Sequence, residues 1–106
     1  MVDKKLRKAI DNFVDDRFGE KEQKENPTLL FVDPAYDKSI LGVTEDGHVV
    51  YALDKMIEEY AEDENCSIDE AMEWIDYNTL RALPYAQGKK PIIVNTVDEL
   101  LLVHGD

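Results

Sequence analysis

Ten carboxylates stand between Asp54 and Tyr77 (Asp54, Glu58, Glu59, Glu62, Asp63, Glu64, Asp69, Glu70, Glu73 and Asp76), and one cation, Lys55, accompanies them. Residues three or four apart share a face of a helix, as Glu58 does with Glu62, Asp69 with Glu73, and Glu73 with Asp76. One chemistry open to such a set is capture of a hard divalent cation, which takes several oxygen ligands. A cation site usually draws partly buried carboxylates from separate elements, whereas these fall on wet faces. The chain also lacks a D-x-D-x-D-G calcium loop. We therefore expect no metal and no cofactor. The other chemistry is electrostatic. Carboxylates about 5–6 Å apart on adjacent helices approach the phosphate spacing along one strand of a nucleic acid, whose duplex carries one charge per roughly 1.7 Å of axis. Glu58, Glu59, Glu62, Asp69, Glu73 and Asp76 would then form a partner-binding face suited to a basic groove. The bland alternative is a solvated face that serves solubility.

The charge of the whole chain sharpens this. It has 24 acidic and 12 basic residues, a net of −12, and the stretch from 54 to 77 alone contributes −9. The first 26 residues hold seven of each sign and cancel. A surface so one-sided repels nucleic acid and anionic membrane and attracts basic protein surfaces. We therefore expect a partner protein with a basic surface, for which a nucleic-acid-binding host protein is the sharpest candidate. Direct binding to nucleic acid or membrane is not expected. No apolar run, Leu100–Val103 included, approaches the roughly 20 residues that span a bilayer. The N-terminal stretch lacks the apolar core of a secretory signal, and a single cysteine, Cys66, cannot form an internal disulfide. These features fit a cytoplasmic protein.

Other chemistry-bearing residues are sparse. Asn78, Arg81 and Tyr85 cluster in YNTLRALPY, where they could frame an anion pocket. The structural alternative has Arg81 serving the negative end of a helix and Asn78 bonding locally. His48 and His104 have no Cys, His or Glu at metal-ligand spacing. Cys66 lies in an acidic stretch, without the electropositive surroundings of a reactive thiol. We assign no catalytic residue and do not expect an enzyme.

The elements that must position these residues read as follows. Val2, Leu6, Ala9, Ile10, Phe13, Val14 and Phe18 recur at helical steps. They predict an amphipathic helix over 1–19, ended by Gly19, and then a polar connector over 20–27. That stripe also offers a surface for homo-oligomerisation. TLLFV predicts a short strand, closed by a turn at Asp33-Pro34. SILGVT and HVVYAL flank Glu45-Asp46-Gly47 and predict a β-hairpin. A helix follows with Leu53, Met56, Ile57 and Tyr60 inward and Asp54, Glu58, Glu59 and Glu62 outward. Ser67-Ile68-Asp69-Glu70 is a capping box that opens a second helix. Its inner face is Ile68, Ala71, Met72, Ile75, Thr79 and Ala82, widened by Trp74 and Leu80, so it should be the most buried helix. It ends near Pro84. PIIVNT predicts a buried strand, and 96–106 is either a short helix opened by Thr96 or an edge strand.

The segments PTLLFVDPAYDKSILGV, GHVVYALDKMIEEY, SIDEAMEWIDYNTLRALPY and PIIV together resemble a family of short proteins encoded in bacteriophage and bacterial genomes. The family order is YDxxIxGV, a glycine-turn hairpin, a helix starting near DKM, a helix ending in YNTxRALPY, and a PIIV strand. Here these are Tyr36 to Val43, Gly47 to Tyr51, Asp54 to Tyr60, Tyr77 to Tyr85 and Pro91 to Val94. The likeness covers about residues 28–95. It implies a shared fold and a phage or bacterial setting, and it transfers no catalytic residue.

Together these readings predict a single α+β domain over 1–106: an N-terminal amphipathic helix and a core over 28–95. In that core a small, mainly antiparallel sheet with a hairpin is covered by two further helices. The function they favour is a small acidic binding protein that inhibits a host protein by occupying its nucleic-acid-binding surface. The second reading is an accessory module that oligomerises through the N-terminal helix, with the acids serving solubility alone.

Overall fold

A computed structural model describes residues 2–105. The N-terminal helix α1 runs from Lys4 to Glu25 and is capped by Asp3, whose carboxylate accepts from the Leu6 amide at 3.0 Å. Gly19 breaks it internally with φ 83° and ψ 166°. The glycine is therefore a kink, and the polar connector expected over 20–27 is helical as far as Glu25. Glu, Lys and Gln are good helix formers, and the restriction that Pro27 places on Asn26 ends the run. Beyond the kink Glu22 reaches Lys89 at 3.7 Å, while the Lys89 ammonium sits 3.6 Å from the centre of the Phe18 ring. Upstream, Ile10 and Val14 are buried in the chain's own core and Leu6 packs against it. The apolar stripe of α1 thus has an intramolecular partner.

Leu29–Val32 does not become a strand. Only Thr28 forms an isolated parallel bridge, to Lys89. The backbone groups of Phe31 are taken by side chains instead, its N–H by the Tyr51 hydroxyl at 3.1 Å and its carbonyl by Arg7 at 2.6 Å. The Phe31 ring meets Tyr36 edge-on and Tyr51 at a tilt. The Asp33–Pro34 peptide that follows is cis.

The hairpin forms as expected. Strands β1 (Ile40–Val43) and β2 (Val49–Ala52) pair antiparallel, with a bulge between Ile40 and Gly42. Gly47 supplies the positive φ of the turn, +91°. Strand β3 (Ile92–Val94) pairs parallel to β2, so the sheet is mixed and has the order β1-β2-β3. β3 is an edge strand rather than a buried one. Ile93 points to the core while Ile92 is exposed.

Between β2 and β3 lie α2 (Leu53–Glu64) and α3 (Ile68–Trp74). Met56 of α2 is fully buried, with Leu53, Ile57 and Tyr60 packed around it. The capping box at Ser67 and Glu70 forms in both directions. From Ile75 to Leu80 the chain adopts a π-helix, then a 3-10 turn at Leu83–Tyr85. Ala71, Ile75 and Thr79, at steps of four, are its buried line. Ile68, Met72 and Ala82 are exposed, so the inner face is narrower than expected and this is not a wholly buried helix. The last element, α4 (Val97–His104), is a helix capped by Thr96, which accepts from the Glu99 amide at 3.2 Å. Ile10, Tyr36, Val49, Tyr51, Met56 and Ile75 form the core between α1, the sheet and α2–α3.

Candidate functional site

Tyr36 and Asp37 tie the layers together. Tyr36 takes a left-handed conformation (φ 54°) that turns the chain into the 3-10 turn Asp37–Ser39. Its buried hydroxyl lies 3.2 Å from that of Thr79 on the π-helix. Burial pushes the Tyr36 hydroxyl up to about 12. Arg7 grips Asp37 in a two-pronged bond, Nε to Oδ2 at 2.9 Å and Nη2 to Oδ1 at 2.7 Å, and the Asp3 amide donates to the same carboxylate. Burial drives the Asp37 carboxyl upward. The hydrogen bonds from Arg7 and the Asp3 amide, with the guanidinium charge, overcome this and hold it below the usual carboxylate range. Two residues on, Ser39 donates to Glu59 at 2.9 Å. Glu59 is only 7% exposed. It was expected on the outer, partner-binding face, and this corrects that placement: α2 turns Glu59 toward Ser39, one helical turn past buried Met56.

The other expected face residues are where helical spacing puts them. Glu58 and Glu62 on α2, Asp69 and Glu73 on α3, and Asp76 just beyond it are all exposed, as are Asp63, Glu64 and Glu70. Among the described residues none of these eight carboxylates is in an ion pair. The helices that carry them are locked together by Tyr60 stacked on Trp74, with ring centres 4.6 Å apart and planes 19° apart. Asp54 belongs elsewhere, being half-buried with Oδ2 3.4 Å from the Thr96 hydroxyl.

A cleft of about 440 Å³ opens at one end of this face. Glu59, Asp63, Glu64 and Asp33 contribute four carboxylates to its lining, Tyr36, Tyr60 and Trp74 contribute rings, and among the described residues no Lys or Arg lines it. Carboxylates beside aromatic faces suit a cationic side chain, by charge and by the ring quadrupole together. Sequence reasoning placed Tyr60 and Trp74 in the core and left Asp33 in a turn. The available signal was their spacing, since Tyr60 and Asp63 share a helix face.

Asn78, Arg81 and Tyr85 do not converge on an anion pocket. Asn78 donates to the Trp74 carbonyl of its own helix at 3.0 Å, and Arg81 lies 4.3 Å over the Tyr77 ring. Tyr85 extends into solvent from the 3-10 turn. His48 pairs its Nδ1 with the Lys90 carbonyl at 2.7 Å, which pins the hairpin to the approach of β3. Cys66 is half-buried and free. Among the described residues no three His, Cys, Asp or Glu side chains come together as a metal site, and no helix is long and apolar enough to cross a membrane. Comparison with models of known families, with curated proteins and with solved structures returned no match.

Proposed function

We propose that this chain is a binding protein, not a catalyst, whose α2–α3 face occupies the basic nucleic-acid-binding surface of another protein in the bacterial cytoplasm. The observation that carries this reading is the set of eight exposed carboxylates without ion-pair partners among the described residues, held on two helices that Tyr60 and Trp74 clamp together. A surface intended only for solubility usually mixes both signs. Here Lys55 is the one cation between residues 54 and 77. The cleft at the end of the face would take a Lys or Arg side chain of that partner. The resemblance to short phage and bacterial proteins implies a phage or bacterial setting, and within it an inhibitor of a host nuclease or repressor is the sharpest form of this reading.

The test is capture of proteins from nuclease-treated bacterial lysate by the tagged full chain, with and without excess duplex DNA or RNA. A basic nucleic-acid-binding protein released by the competitor supports the reading. Captured proteins indifferent to nucleic acid count against it. The second reading, an accessory module that self-associates, gains its support from a different surface.

A further inference from the structure

Among the described residues, helix α4 is left largely uncovered by its own chain. None of its eight residues is buried. Val97, Leu101 and Leu102 are 70%, 65% and 80% exposed, and Leu100 and Val103 are exposed as well. Isolated helices shorter than about 12–15 residues are marginal in water, and most gain their stability from a buried apolar face. Within this chain α4 is anchored chiefly at its cap, through Thr96 and Asp54. Beside it a groove of about 590 Å³ joins Val97 to Val94 and Leu41. The groove borders the outer face of the sheet, where Leu41 and Ile92 are exposed and Val50 is half-buried.

We propose that α4 and this adjoining sheet face form a two-fold interface between two copies of the chain. The inference does not depend on the acidic-face reading. Successive helical residues point about 100° apart, so Leu100–Val103 cannot all face one partner. Val97, Leu101 and Leu102, which share one side of α4, leave with Leu41 and Ile92 roughly 500 Å² of exposed apolar surface per copy. Paired, that is about 1,000 Å² before any polar rim is added, the size at which a specific interface begins. Charge selects the occupant. The three strands and Leu100–Val103 contain no charged residue, in a chain of net charge −12. A basic partner is drawn to α2–α3, and an anionic membrane is repelled. An isologous contact needs only the same uncharged patch on each side. Asp54, Glu58 and Asp98 line the groove with a single cation, Lys55, and set a net negative charge near the seam on each copy. Salt therefore strengthens this association by screening that charge, whereas it weakens a contact between the acidic face and a basic partner.

Sedimentation velocity of the full chain at about 50 mM and about 500 mM NaCl tests this, the Debye length falling several-fold over such a range. We expect a species of twice 12.2 kDa, with association tighter at the higher salt. Leu101→Glu combined with Leu102→Glu should leave a monomer with unchanged far-UV circular dichroism, because both side chains are exposed. Leu41→Glu, on the sheet side, adds to the like charges at the seam and should weaken association at least tenfold. A monomer at both salts, a dimer that survives the α4 substitutions, or a dimer indifferent to Leu41→Glu each overturns the proposal. None of these outcomes bears on capture of a basic partner, so the two readings fail separately.

Discussion

Removing Arg7 should cost more than removing Asp37, although the two side chains make the same pair. Asp37 has 1% of its side chain exposed and Arg7 has 22%. Arg7→Ala strands a buried carboxylate with the Asp3 amide as its remaining donor among the described residues. Asp37→Ala strands a guanidinium that still reaches water and the Phe31 carbonyl. Breaking a buried pair by deleting one partner costs about 3–5 kcal/mol. We expect about 3–4 kcal/mol for Arg7→Ala and about 1.5–2.5 kcal/mol for Asp37→Ala, since the surviving charge keeps part of its hydration. The double variant should cost less than the two losses added. The pH dependence carries the same logic. In the native fold the Asp37 carboxyl is lowered from 3.8. Its contribution is fully present above that value and is lost as pH falls through the folded value. In Arg7→Ala the upward push of burial dominates, so Asp37 takes up its proton in the fold at higher pH. The gap between wild type and Arg7→Ala should therefore narrow as pH drops from neutrality toward 4. Urea unfolding followed by Trp74 fluorescence at several pH values measures both effects. Equal costs for the two single variants, or a gap that widens in acid, would refute the reasoning.

Three further outcomes follow from the same geometry. Glu59→Lys should unfold the chain or cost at least about 3 kcal/mol, because it buries an unmatched charge, while Glu58→Lys one residue away should move the melting temperature by no more than a few degrees. Gly47→Ala should cost about 1–3 kcal/mol in chemical denaturation. Its φ of +91° disfavours a side chain, and the new Cβ would stand 2.9 Å from the Phe18 ring. Ile10→Ala should cost about 2–5 kcal/mol in the same assay, whereas an unaltered stability would mean that α1 does not complete this core.

The parts of the fold governed by neighbours in sequence were legible. Asp46-Gly47 between two apolar runs specified the hairpin, and Ser67 with Glu70 specified a helix start down to the reciprocal bonds. The misread parts depend on partners far along the chain. Gly19 is compatible locally with a helix end or a kink, and Glu22 and Phe18 meeting Lys89 accompany the kink. Leu29–Val32 has the composition of a strand, but Arg7 and Tyr51 take the backbone groups of Phe31 that a neighbouring strand would need. Glu59 lies three residues from Met56, on the margin of the buried stripe, and the bond from Ser39, distant in sequence, helps make its burial tolerable. The π-helix has no sequence signature. It brings Thr79 to Tyr36, so packing accounts for Thr79 and Leu80 of YNTLRALPY, while Tyr77, Asn78, Arg81 and Tyr85 stay exposed. The acidic face was legible because exposure and spacing alone define it. The cleft was not, because it requires Asp33 of a loop to stand beside α2 and α3.

The role of that face is tested most directly by charge reversal. Glu58, Glu62, Glu73 and Asp76 are exposed and outside the core, so their replacement by Lys should leave the melting transition within a few degrees of wild type. The measurement is the affinity of the captured nucleic-acid-binding partner for the full chain and for this four-site variant, at low and high salt. We expect the wild-type affinity to fall as salt rises, and the variant to bind about 100-fold more weakly, some 3 kcal/mol in total. A folded variant that binds within threefold of wild type would contradict the claim that these carboxylates form the binding surface.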